Sequence, residues 1–504
     1  MELHELWQRA GLGTPQCSGA VARLVTDSRE VTAGDLFIGL PGTQVNGADF
    51  VPVALTRGAI AAVVDQSMVA AVRAASGADA PRVLAADDIL IACGDLATAF
   101  YDYPAQHLRM VGVTGTNGKT TITHLIEFLM QEAISTALLG TLYTRWPGYC
   151  VSASHTTPFA VSLQSHLAAA VAAGVKVAVM EVSSHGLSQE RVRGCRFEVA
   201  VFSNLTQDHL DFHGTMEHYF AAKAKLFMPE YLKGRAILNG DDPYGQKLRD
   251  QIGDQSVWCY QLYDERADFF VEDLTLTPSG VTGTVHTPAG PLALCSPLVG
   301  QFNVQNVLAA IAAAMALGLD RETIATRLPL FPNVPGRMEQ VVVDGQQDLT
   351  VVVDYAHTPD GLENVLRSLR PFTRQKLICV FGCGGDRDRR KRPLMGSIAA
   401  RLSDHTYVTS DNPRTEDPQQ ILQDILAGIP PQTSPVVQGD RRAAIRQAIL
   451  NAAPGDVVVI AGKGHEDYQI LGHQKIHFDD RQEARVALQQ RYGQYSKRDE
   501  IDVK

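Results

Sequence analysis

The feature that most constrains this chain is an apolar segment, Met110-Val-Gly-Val-Thr114, that runs directly into the glycine-rich stretch Gly115-Thr-Asn-Gly-Lys-Thr-Thr121. Apolar residues then recur at helical spacing from Ile122 to Leu129. A strand, a loop containing Gly-Lys-Thr and a helix are the parts of a phosphate-binding P-loop. The strict pattern G-x-x-x-x-G-K-[ST] fails because position 113 is valine, so the loop is a variant of the common form.

Each part of this loop has a chemical role. The glycines let backbone N–H groups surround phosphate oxygens, and the start of the helix adds partial positive charge. Lys119 is predicted to reach the β- and γ-phosphates of ATP, and the Thr120 hydroxyl to bind Mg²⁺. The predicted ATP-binding residues of the loop are Gly115, Thr116, Asn117, Gly118, Lys119, Thr120 and Thr121.

Alternating strand and helix patterns predict an α/β protein of three domains, which fits 504 residues at about 150 residues per domain. We expect a small N-terminal α/β domain (1–103), a central P-loop ATPase-like domain with a parallel sheet (104–336) and a C-terminal Rossmann-like domain (337–504). The predicted strands are Asp35–Leu40, Ala59–Val64, Met110–Thr114, Val175–Met180, Val199–Phe202, Leu349–Val353, Lys376–Phe381, Thr406–Thr409 and Asp456–Ala461.

Composition excludes several classes of protein. The net charge is -10, from 45 basic and 55 acidic residues without a basic block, which argues against nucleic-acid binding. The start of the chain, Met1-Glu-Leu-His-Glu-Leu, lacks the basic region of a secretory signal, and the longest apolar run, Val307–Leu319, is shorter than the ~18 residues of a membrane span. Eight cysteines without a Cys-x-x-Cys pair argue against disulfides and structural zinc. We expect a cytoplasmic monomer with no membrane contact.

Acidic and imidazole side chains follow two of the predicted strands. Glu181 ends the strand that begins at Val175, where open α/β sheets bind ligands, and it is placed to share Mg²⁺ with Thr120. His209 and His213, four residues apart and flanked by aspartates, could instead indicate zinc. The Gly-Lys-Thr loop favours Mg²⁺, which prefers oxygen ligands.

Six ordered motifs together resemble the Mur ligase family of ATP-dependent amide-forming enzymes. They are Gly112-Val-Thr-Gly-Thr-Asn-Gly-Lys-Thr-Thr, Glu181-Val-Ser-Ser-His, Asn204-Leu-Thr-Gln-Asp-His-Leu-Asp, Gly300-Gln-Phe-Asn-Val-Gln-Asn-Val-Leu-Ala-Ala, Pro335-Gly-Arg-Met-Glu and Asp354-Tyr-Ala-His-Thr-Pro. Within the family, Asp411-Asn-Pro-Arg414 and Gly462-Lys-Gly-His-Glu466 resemble the branch that makes the UDP-N-acetylmuramoyl-tripeptide with meso-diaminopimelate.

The resemblance implies a reaction in peptidoglycan precursor synthesis. ATP phosphorylates the D-glutamate side-chain carboxylate of UDP-N-acetylmuramoyl-L-alanyl-D-glutamate, and the amine of meso-diaminopimelate attacks the acyl phosphate. It also implies two Mg²⁺ ions, held by Thr120, Glu181, His209 and Lys223. Lys223 matches a position carbamylated to N6-carboxylysine, for which Lys225 is the local competitor. The implied catalytic residues are Lys119, Glu181, His209 and Lys223.

The resemblance also implies the contacts to each substrate. ATP would additionally contact Asn303, Arg337 and Asp354, and so bridge the second and third domains. The uridine nucleotide would meet Ser28 and, more weakly, Thr43 to Val45, whereas the muramoyl dipeptide would meet Thr156, Thr157, Ser183, Gln189 and Arg191. His155 stands where the family often has asparagine. Diaminopimelate would meet Arg387, Asp411, Asn412, Pro413, Arg414, Gly462 and Glu466.

Three other interpretations compete with this one. A P-loop ATPase switch without ligase activity would explain residues 110–214 and leave the motifs near Asp411 unexplained. A sibling ligase could add L-lysine or a dipeptide, or extend folate with glutamate, and Asp411-Asn-Pro-Arg414 distinguishes these from a diaminopimelate ligase. The segment Gly382–Arg387 imitates a dinucleotide fingerprint, but arginine replaces its last glycine, so NAD is not indicated.

Overall fold

The N-terminal part of the chain folds around a small parallel sheet. The computed structural model describes residues 1–42, 45–253, 256–343 and 347–499, with side chains up to 493, so Thr43 lies outside the described residues. Four parallel strands run in the order β1-β2-β3-β4, and apolar clusters cover both faces of their sheet. The elements are α1 (Leu3–Arg9), β1 (Leu24–Val25), β2 (Leu36–Ile38), α2 (Val51–Thr56), β3 (Ala61–Asp65), α3 (Val69–Ser76), β4 (Val83–Ala86) and α4 (Ile89–Phe100).

A larger sheet of eight strands follows. Its order is β12-β11-β10-β5-β9-β6-β7-β8, and the strands from β12 to β6 are parallel, whereas β7 and β8 add an antiparallel hairpin at one edge. The elements are β5 (Arg109–Thr114), α5 (Lys119–Met130), β6 (Thr136–Leu139), β7 (Tyr143–Trp146), β8 (Tyr149–Ser152), α6 (Ala160–Ala172), β9 (Val177–Glu181), α7 (Ser184–Ser188), β10 (Phe197–Phe202), α8 (Leu210–His213), α9 (Met216–Ala224), β11 (Leu232–Asn239), α10 (Pro243–Ile252) and β12 (Val257–Tyr260).

Alternate side chains of β5 enter two different cores. Val111 and Val113 pack in the cluster that holds α5 and α11, whereas Met110 packs in the cluster on the other face. Because both faces of the sheet are covered, its strands are continuously apolar, as is usual for parallel sheets. This packing fixes the position of the loop that follows β5.

An antiparallel sheet, β13-β14-β15, packs beside the central sheet together with two helices. The elements are β13 (Phe270–Thr277), β14 (Gly280–His286), β15 (Leu292–Ser296), α11 (Gln301–Ala316) and α12 (Arg321–Arg327). The apolar run that begins at Val307 forms the buried part of α11, against α5. No helix among the described residues is both long and apolar enough to cross a bilayer.

The last part of the chain has the third of the parallel sheets, named the third sheet from here on. It has six strands in the order β16-β17-β21-β18-β19-β20, parallel except for β16, with a separate β22-β23 hairpin. The elements are β16 (Glu339–Gln340), β17 (Thr350–Asp354), α13 (Pro359–Leu369), β18 (Leu377–Phe381), α14 (Lys391–Leu402), β19 (His405–Val408), α15 (Pro418–Leu426), β20 (Val436–Val437), α16 (Arg441–Asn451), β21 (Val457–Ala461), β22 (Tyr468–Leu471), β23 (Gln474–His477) and α17 (Asp480–Asp499).

The carboxyl ends of the parallel strands in the two large sheets face each other. Asn117, after β5, donates a hydrogen bond to Asp360 at the start of α13 at 2.7 Å. Gln207, after β10, donates to Asp388 at 3.3 Å. Ligands of open α/β sheets bind at these strand ends, so the space between the sheets is the expected site.

The α/β fold class is confirmed, and each predicted strand occurs within two residues of its predicted bounds. The antiparallel pieces were not predicted. In β15, for example, buried and exposed residues alternate strictly, but a five-residue segment gives a weak periodic signal.

Candidate active site

The phosphate loop joins the end of β5 to the start of α5. Gly118 precedes the helix at φ +89°, and a Cβ there would lie 2.4 Å from Asn306 Oδ1, so any other residue would strain the backbone and displace Asn306. Lys119 Nζ donates to the carbonyls of Gly115 at 2.9 Å and Thr116 at 2.8 Å. The ammonium group therefore lies over the loop, where it can neutralise phosphate oxygens.

The first part of the predicted metal site is assembled around Glu181. Its buried carboxylate accepts hydrogen bonds from Thr120 Oγ1 at 3.1 Å and from Thr141, through the backbone N–H at 2.8 Å and Oγ1 at 3.0 Å. Arg337 Nη2 donates to Thr120 Oγ1 at 3.0 Å. A hydroxyl and a carboxylate side by side form the hard oxygen donor set that suits Mg²⁺.

Lys223, on α9, lies in the same region and is 1% exposed. Its Nζ donates to the carbonyl of Gly115 at 2.8 Å, which Lys119 also contacts, and it lies 4.6 Å from the centre of the Tyr219 ring. Burial, with Lys119 adding repulsion, lowers the pKa of Lys223 well below its ordinary value. A neutral amine, unlike an ammonium, has the lone pair needed to react with CO₂.

His209 lies beside Asp208, with 3.3 Å between its Nε2 and Oδ2. Burial lowers the pKa of His209 to about 3, so the imidazole is neutral and able to bind a metal. Its sequence partner His213 instead contacts Ser184 Oγ through Nε2 at 2.9 Å, and no group of three or more His, Cys, Asp and Glu among the described residues is arranged to hold a metal ion. The two histidines that could have indicated zinc therefore contact different groups.

A pocket beside the phosphate loop lies between α11, on one side, and the start of the third sheet, on the other. Asn306 Nδ2 donates to Asn303 Oδ1 at 3.0 Å, and Asn303 Nδ2 donates to the Val299 carbonyl at 2.8 Å. The predicted ATP contacts that line this pocket are Asn117, Gly118, Thr120, Thr121, Asn303, Arg337 and Asp354. The structure thus brings together predicted ATP contacts from both sides of Pro335-Gly336.

Asp354 and Arg337 are held in place by their own neighbours. Asp354 accepts from the backbone N–H groups of Met338 and Ala356, each at 2.7 Å, although burial raises the pKa of its carboxyl. The Arg337 guanidinium stacks over the Tyr355 ring at 4.5 Å. Both side chains are therefore preorganised near the pocket.

A cleft of about 660 Å³ opens between the second and third sheets beside Glu181 and His209. Predicted residues from both sides line it. From the central part of the chain these are Thr156, Thr157, Ser183, Arg191 and His209, and from the last part they are Arg387, Asp411, Asn412, Arg414, Gly462 and Glu466.

The acidic end of the cleft is a hydrogen-bonded cluster. Asn412 Nδ2 donates to Glu466 Oε2 at 2.9 Å, and Lys463 Nζ donates to the same oxygen at 3.1 Å. Burial raises the pKa of Glu466, with Lys463 opposing the rise. Burial also raises the pKa of Asp411, but Lys463 and Arg441 outweigh it and hold that pKa below its ordinary value.

The basic end of the cleft holds two guanidinium groups. Arg414, half-buried at φ +53°, donates from Nη1 to the Gly385 carbonyl at 2.8 Å. Burial lowers the pKa of Arg414, and repulsion from the exposed Arg387 lowers it further. A Cβ on Gly385 would lie 1.9 Å from the Pro413 carbonyl oxygen, so glycine lets the two loops approach. Two guanidinium groups this close together form a site suited to an anionic group.

Arg191 organises the residues predicted to meet the muramoyl dipeptide. It donates from Nη1 to the Thr157 carbonyl at 2.8 Å and from Nη2 to Gln189 Oε1 at 2.6 Å, and it stacks on Phe159 at 4.0 Å. Burial lowers the pKa of Arg191 to about 10. Ser183 Oγ caps α7 by accepting from the Gly186 N–H. Gln189 and Arg191 also line a 260 Å³ cavity at the border with the N-terminal sheet.

Thr156 and Ser28, which are also predicted to bind the nucleotide substrate, make hydrogen bonds with groups other than Arg191. Thr156 Oγ1 lies 3.1 Å from Thr141 Oγ1, which donates to Glu181, and so Thr156 joins the Glu181 cluster. Ser28 follows β1, its carbonyl accepts from Arg57, and it lines neither the 660 Å³ cleft nor the 260 Å³ cavity.

The structure also identifies site residues that were not predicted individually. Asn306 lies one helical turn after Asn303, within a quoted motif, so its spacing could have indicated a shared face. Asp208 pairs with Lys391 across the cleft at 3.5 Å, and Lys463 joins the acidic cluster. Lys391 is 183 residues from Asp208, and Lys463 is 52 residues from Asp411 although it is only three from Glu466. No local pattern reveals the two longer pairings.

Three family profiles match this chain. They are described as "Mur ligase family, catalytic domain" over residues 21–104, "Mur ligase middle domain" over 113–314 and "Mur ligase, glutamate ligase domain" over 336–464. A UDP-N-acetylmuramoyl-L-alanyl-D-glutamate--2,6-diaminopimelate ligase of Thermosynechococcus vestitus is 62% identical over 499 residues, covering 98% of this chain and 99% of the relative. The ligase of that name from Gloeobacter violaceus is 58% identical over 493 residues, 97% and 99% of the two chains.

Two solved structures are similar to this chain in fold. A structure of a UDP-N-acetylmuramoyl-L-alanyl-D-glutamate--2,6-diaminopimelate ligase has a TM-score of 0.64 at 37% identity, covering 94% of this chain and 95% of the other. The MurF ligase from Thermotoga maritima in complex with ADP shares the fold, with a TM-score of 0.62 at 18% identity over 94% and 98% of the chains. The profiles cover most of the chain, and the relatives span nearly all of it, so this chain belongs to the Mur ligase family.

Proposed function

We propose that this chain is an ATP-dependent, ADP-forming ligase that adds meso-diaminopimelate to the D-glutamate side-chain carboxylate of UDP-N-acetylmuramoyl-L-alanyl-D-glutamate. The observation that carries the proposal is the 660 Å³ cleft, which has the Glu181 cluster at one side and the paired Arg387 and Arg414 with Glu466 at the other. In this proposal the phosphorylation site beside Glu181 borders the space that holds the diamino-acid site. The names of the relatives that are 58–62% identical to this chain agree with this reaction.

The first half of the reaction takes place at the phosphate loop. Lys119 and the loop N–H groups hold the phosphates of ATP, and Arg337 reaches Thr120 from the third sheet. The substrate carboxylate attacks the γ-phosphorus, an acyl phosphate forms and ADP leaves. Such transfers depend on positioning and on neutralising charge, which the converging Lys119 and Arg337 supply.

Two Mg²⁺ ions fit the residues present. Thr120 and Glu181 offer a hydroxyl and a carboxylate for the first, and the neutral His209 with a carbamylated Lys223 would hold the second. In the carbamylation, the lone pair of Lys223 Nζ attacks the carbon of CO₂ and a proton is released, so the buried amine becomes an anionic oxygen donor. Bound there, the ions would spread the negative charge of the transferring phosphoryl group.

The second half of the reaction takes place where the cleft meets the third sheet. Glu466 holds the distal ammonium of diaminopimelate, while Arg414 and Arg387 hold its carboxylates, so the other amine reaches the acyl phosphate. That amine attacks the acyl carbon, a tetrahedral intermediate forms and phosphate leaves. Asp411, Asn412, Pro413 and Gly462 shape the pocket around these groups.

We assign the roles to three domains and propose a cytoplasmic monomer. Residues 1–103 bind the uridine nucleotide with Ser28, residues 104–336 bind ATP and the muramoyl dipeptide, and residues 337–504 bind the amino acid. Nucleic acid and membranes have no part in this function. A chain that works on soluble nucleotide and amino-acid substrates needs neither.

L-Lysine is the alternative amino acid, and an ATPase switch is the alternative function. Lysine lacks the distal carboxylate, so it would leave Arg414 facing an ammonium group in a partly buried pocket, which is unfavourable. A switch would have no use for the charged pocket of the third sheet.

The dependence of ADP release on the other two substrates distinguishes a ligase from an ATPase switch. The enzyme is incubated with ATP and Mg²⁺, and the muramoyl dipeptide substrate and diaminopimelate are omitted in turn. The proposal predicts that steady ADP release requires both. Equal release with neither substrate present would contradict ligase activity and support a switch.

A further inference from the structure

A buried lysine, Lys463, lies behind the amino-acid pocket rather than in it. Its side chain is fully buried, and unlike its neighbours Gly462, His465 and Glu466 it does not line the cleft. A fully buried cation costs free energy unless it is paired and hydrogen-bonded. The contacts that compensate this cost are therefore informative about its role.

The three N–H donors of the Lys463 ammonium match three oxygen acceptors. They are Asn412 Oδ1 at 3.0 Å, Glu466 Oε2 at 3.1 Å and, most distant, Asp411 Oδ1 at 3.5 Å. Every one of these acceptors belongs to a residue that lines the cleft. Lys463 thus connects the residues of the acidic end from behind, with no donor left for a substrate.

These bonds fix which oxygen of Glu466 serves the pocket. Its Oε2 accepts from both Lys463 and Asn412, whereas Oε1 accepts the Tyr468 hydroxyl at a longer 3.4 Å. Asn412 is itself oriented, because its Oδ1 accepts from the Ile470 N–H at 3.0 Å as well as from Lys463. Oε1 is the oxygen with capacity for a further donor.

The net charge of the cluster of Asp411, Glu466 and Lys463 is one negative unit. Asp411 and Glu466 carry two negative charges and Lys463 one positive charge, while the nearby Arg441 is already paired with Asp480 at 2.7 Å. One net negative charge matches one ammonium group. Without Lys463, two carboxylates would share a buried site, and one of them would take up a proton.

We propose that Lys463 is a positioning residue for the amino-acid substrate: it neutralises one of two buried carboxylates and fixes Glu466 and Asn412, so that the pocket offers one net negative charge to an ammonium group. This inference rests on the proposed function, because it takes the pocket as the diamino-acid site. A merely structural lysine would fill space and stabilise the fold without affecting the affinity for one substrate.

The test compares Lys463→Met, Asp411→Asn and the double variant, with KM measured separately for diaminopimelate, ATP and the muramoyl dipeptide substrate. Each single change unbalances the cluster, so each is expected to raise KM for diaminopimelate about tenfold or more and leave KM for ATP within about twofold. The double variant removes one charge of each sign and restores the net charge. Its KM for diaminopimelate is expected to fall below that of either single variant.

Lys376→Met is the matched control. It removes the same charge from an exposed position just before the start of β18, at the end of the sheet away from the cleft. It should leave all three KM values unchanged. Should Lys463→Met fail to fold, Asp411→Asn alone still tests the charge balance. Unchanged KM for diaminopimelate in Asp411→Asn, or a double variant no better than both singles, overturns the inference. A wild type that shows no diaminopimelate-dependent ADP release overturns the proposed function instead.

Discussion

Replacing Arg414 with alanine removes one of the two guanidinium groups at the basic end of the cleft. Arg414 lies at φ +53°, which alanine tolerates no better or worse than arginine, so the change adds no backbone strain of its own. The Gly385 carbonyl loses the donor that Nη1 provides at 2.8 Å. Under the proposed function, the principal loss is the partner of the distal carboxylate that distinguishes diaminopimelate from lysine.

The size of the effect follows from burial and from the neighbouring Arg387. Truncating one member of a buried charge pair costs 2–5 kcal/mol or more. Arg414 is half-buried and the exposed Arg387 remains nearby, so we expect about 3 kcal/mol, which is about 10²-fold in kcat/KM for diaminopimelate. Arg414→Lys keeps the charge but not the planar fork, and should lose less than the alanine variant.

The assay is initial-rate ADP release with diaminopimelate varied and the other substrates saturating. KM for ATP should match the wild type, since the nucleotide pocket is lined by other residues. Thermal unfolding of each variant checks that the fold is intact. Normal use of diaminopimelate by a folded Arg414→Ala variant would refute the assignment of the carboxylate site, even if ligase activity survives.

Three further predictions concern the metal site, domain closure and stability. Lys223→Ala should abolish ligation without loss of fold, and short carboxylic acids should partly restore it by supplying the missing oxygen ligand, as measured by product formation. Binding of an ATP analogue with the muramoyl dipeptide substrate should reduce the radius of gyration in X-ray scattering, because the predicted ATP contacts lie on both sides of Pro335-Gly336. Asp480→Ala should destabilise the chain by about 3–5 kcal/mol in thermal unfolding, because it leaves the fully buried Arg441 guanidinium without its carboxylate partner.

Each of these has a result that contradicts it. Full activity of Lys223→Ala would exclude a carbamate ligand at that position, and Lys225→Ala is the control for a nearby half-buried lysine that pairs with Glu190 instead. Identical scattering with and without ligands would contradict closure. An unchanged unfolding transition in Asp480→Ala would mean that Arg441 finds other partners, such as the Ala461 carbonyl that it already contacts at 2.9 Å.

Much of the fold was predictable because the parallel strands are short, apolar runs bounded by turn residues. Both faces of these sheets are covered, so runs such as Val457–Ala461 are apolar throughout and easy to recognise. The phosphate loop was predictable for a different reason. Its glycines and its lysine stand next to each other in the chain, so their chemistry is local.

The arrangement of the site was less accessible from the sequence. Lys463 is 52 residues from Asp411, and their pairing depends on the strand order within the six-stranded sheet. Asp208 is 183 residues from Lys391, and that pairing depends on how two sheets face each other. The orientation of Glu466 depends on Asn412 and Lys463 together. Motifs identify which residues belong to a site, whereas contacts in the folded chain determine how those side chains are oriented and which of them are charged.

The mass of the product tests the central claim most directly. The enzyme is incubated with ATP, Mg²⁺ and UDP-N-acetylmuramoyl-L-alanyl-D-glutamate, with equal concentrations of meso-diaminopimelate and L-lysine in competition. We predict that the nucleotide product carries the mass of diaminopimelate less one water, with one ADP released per product. A product that carries lysine, or release of ADP without any ligated nucleotide, would contradict the claim.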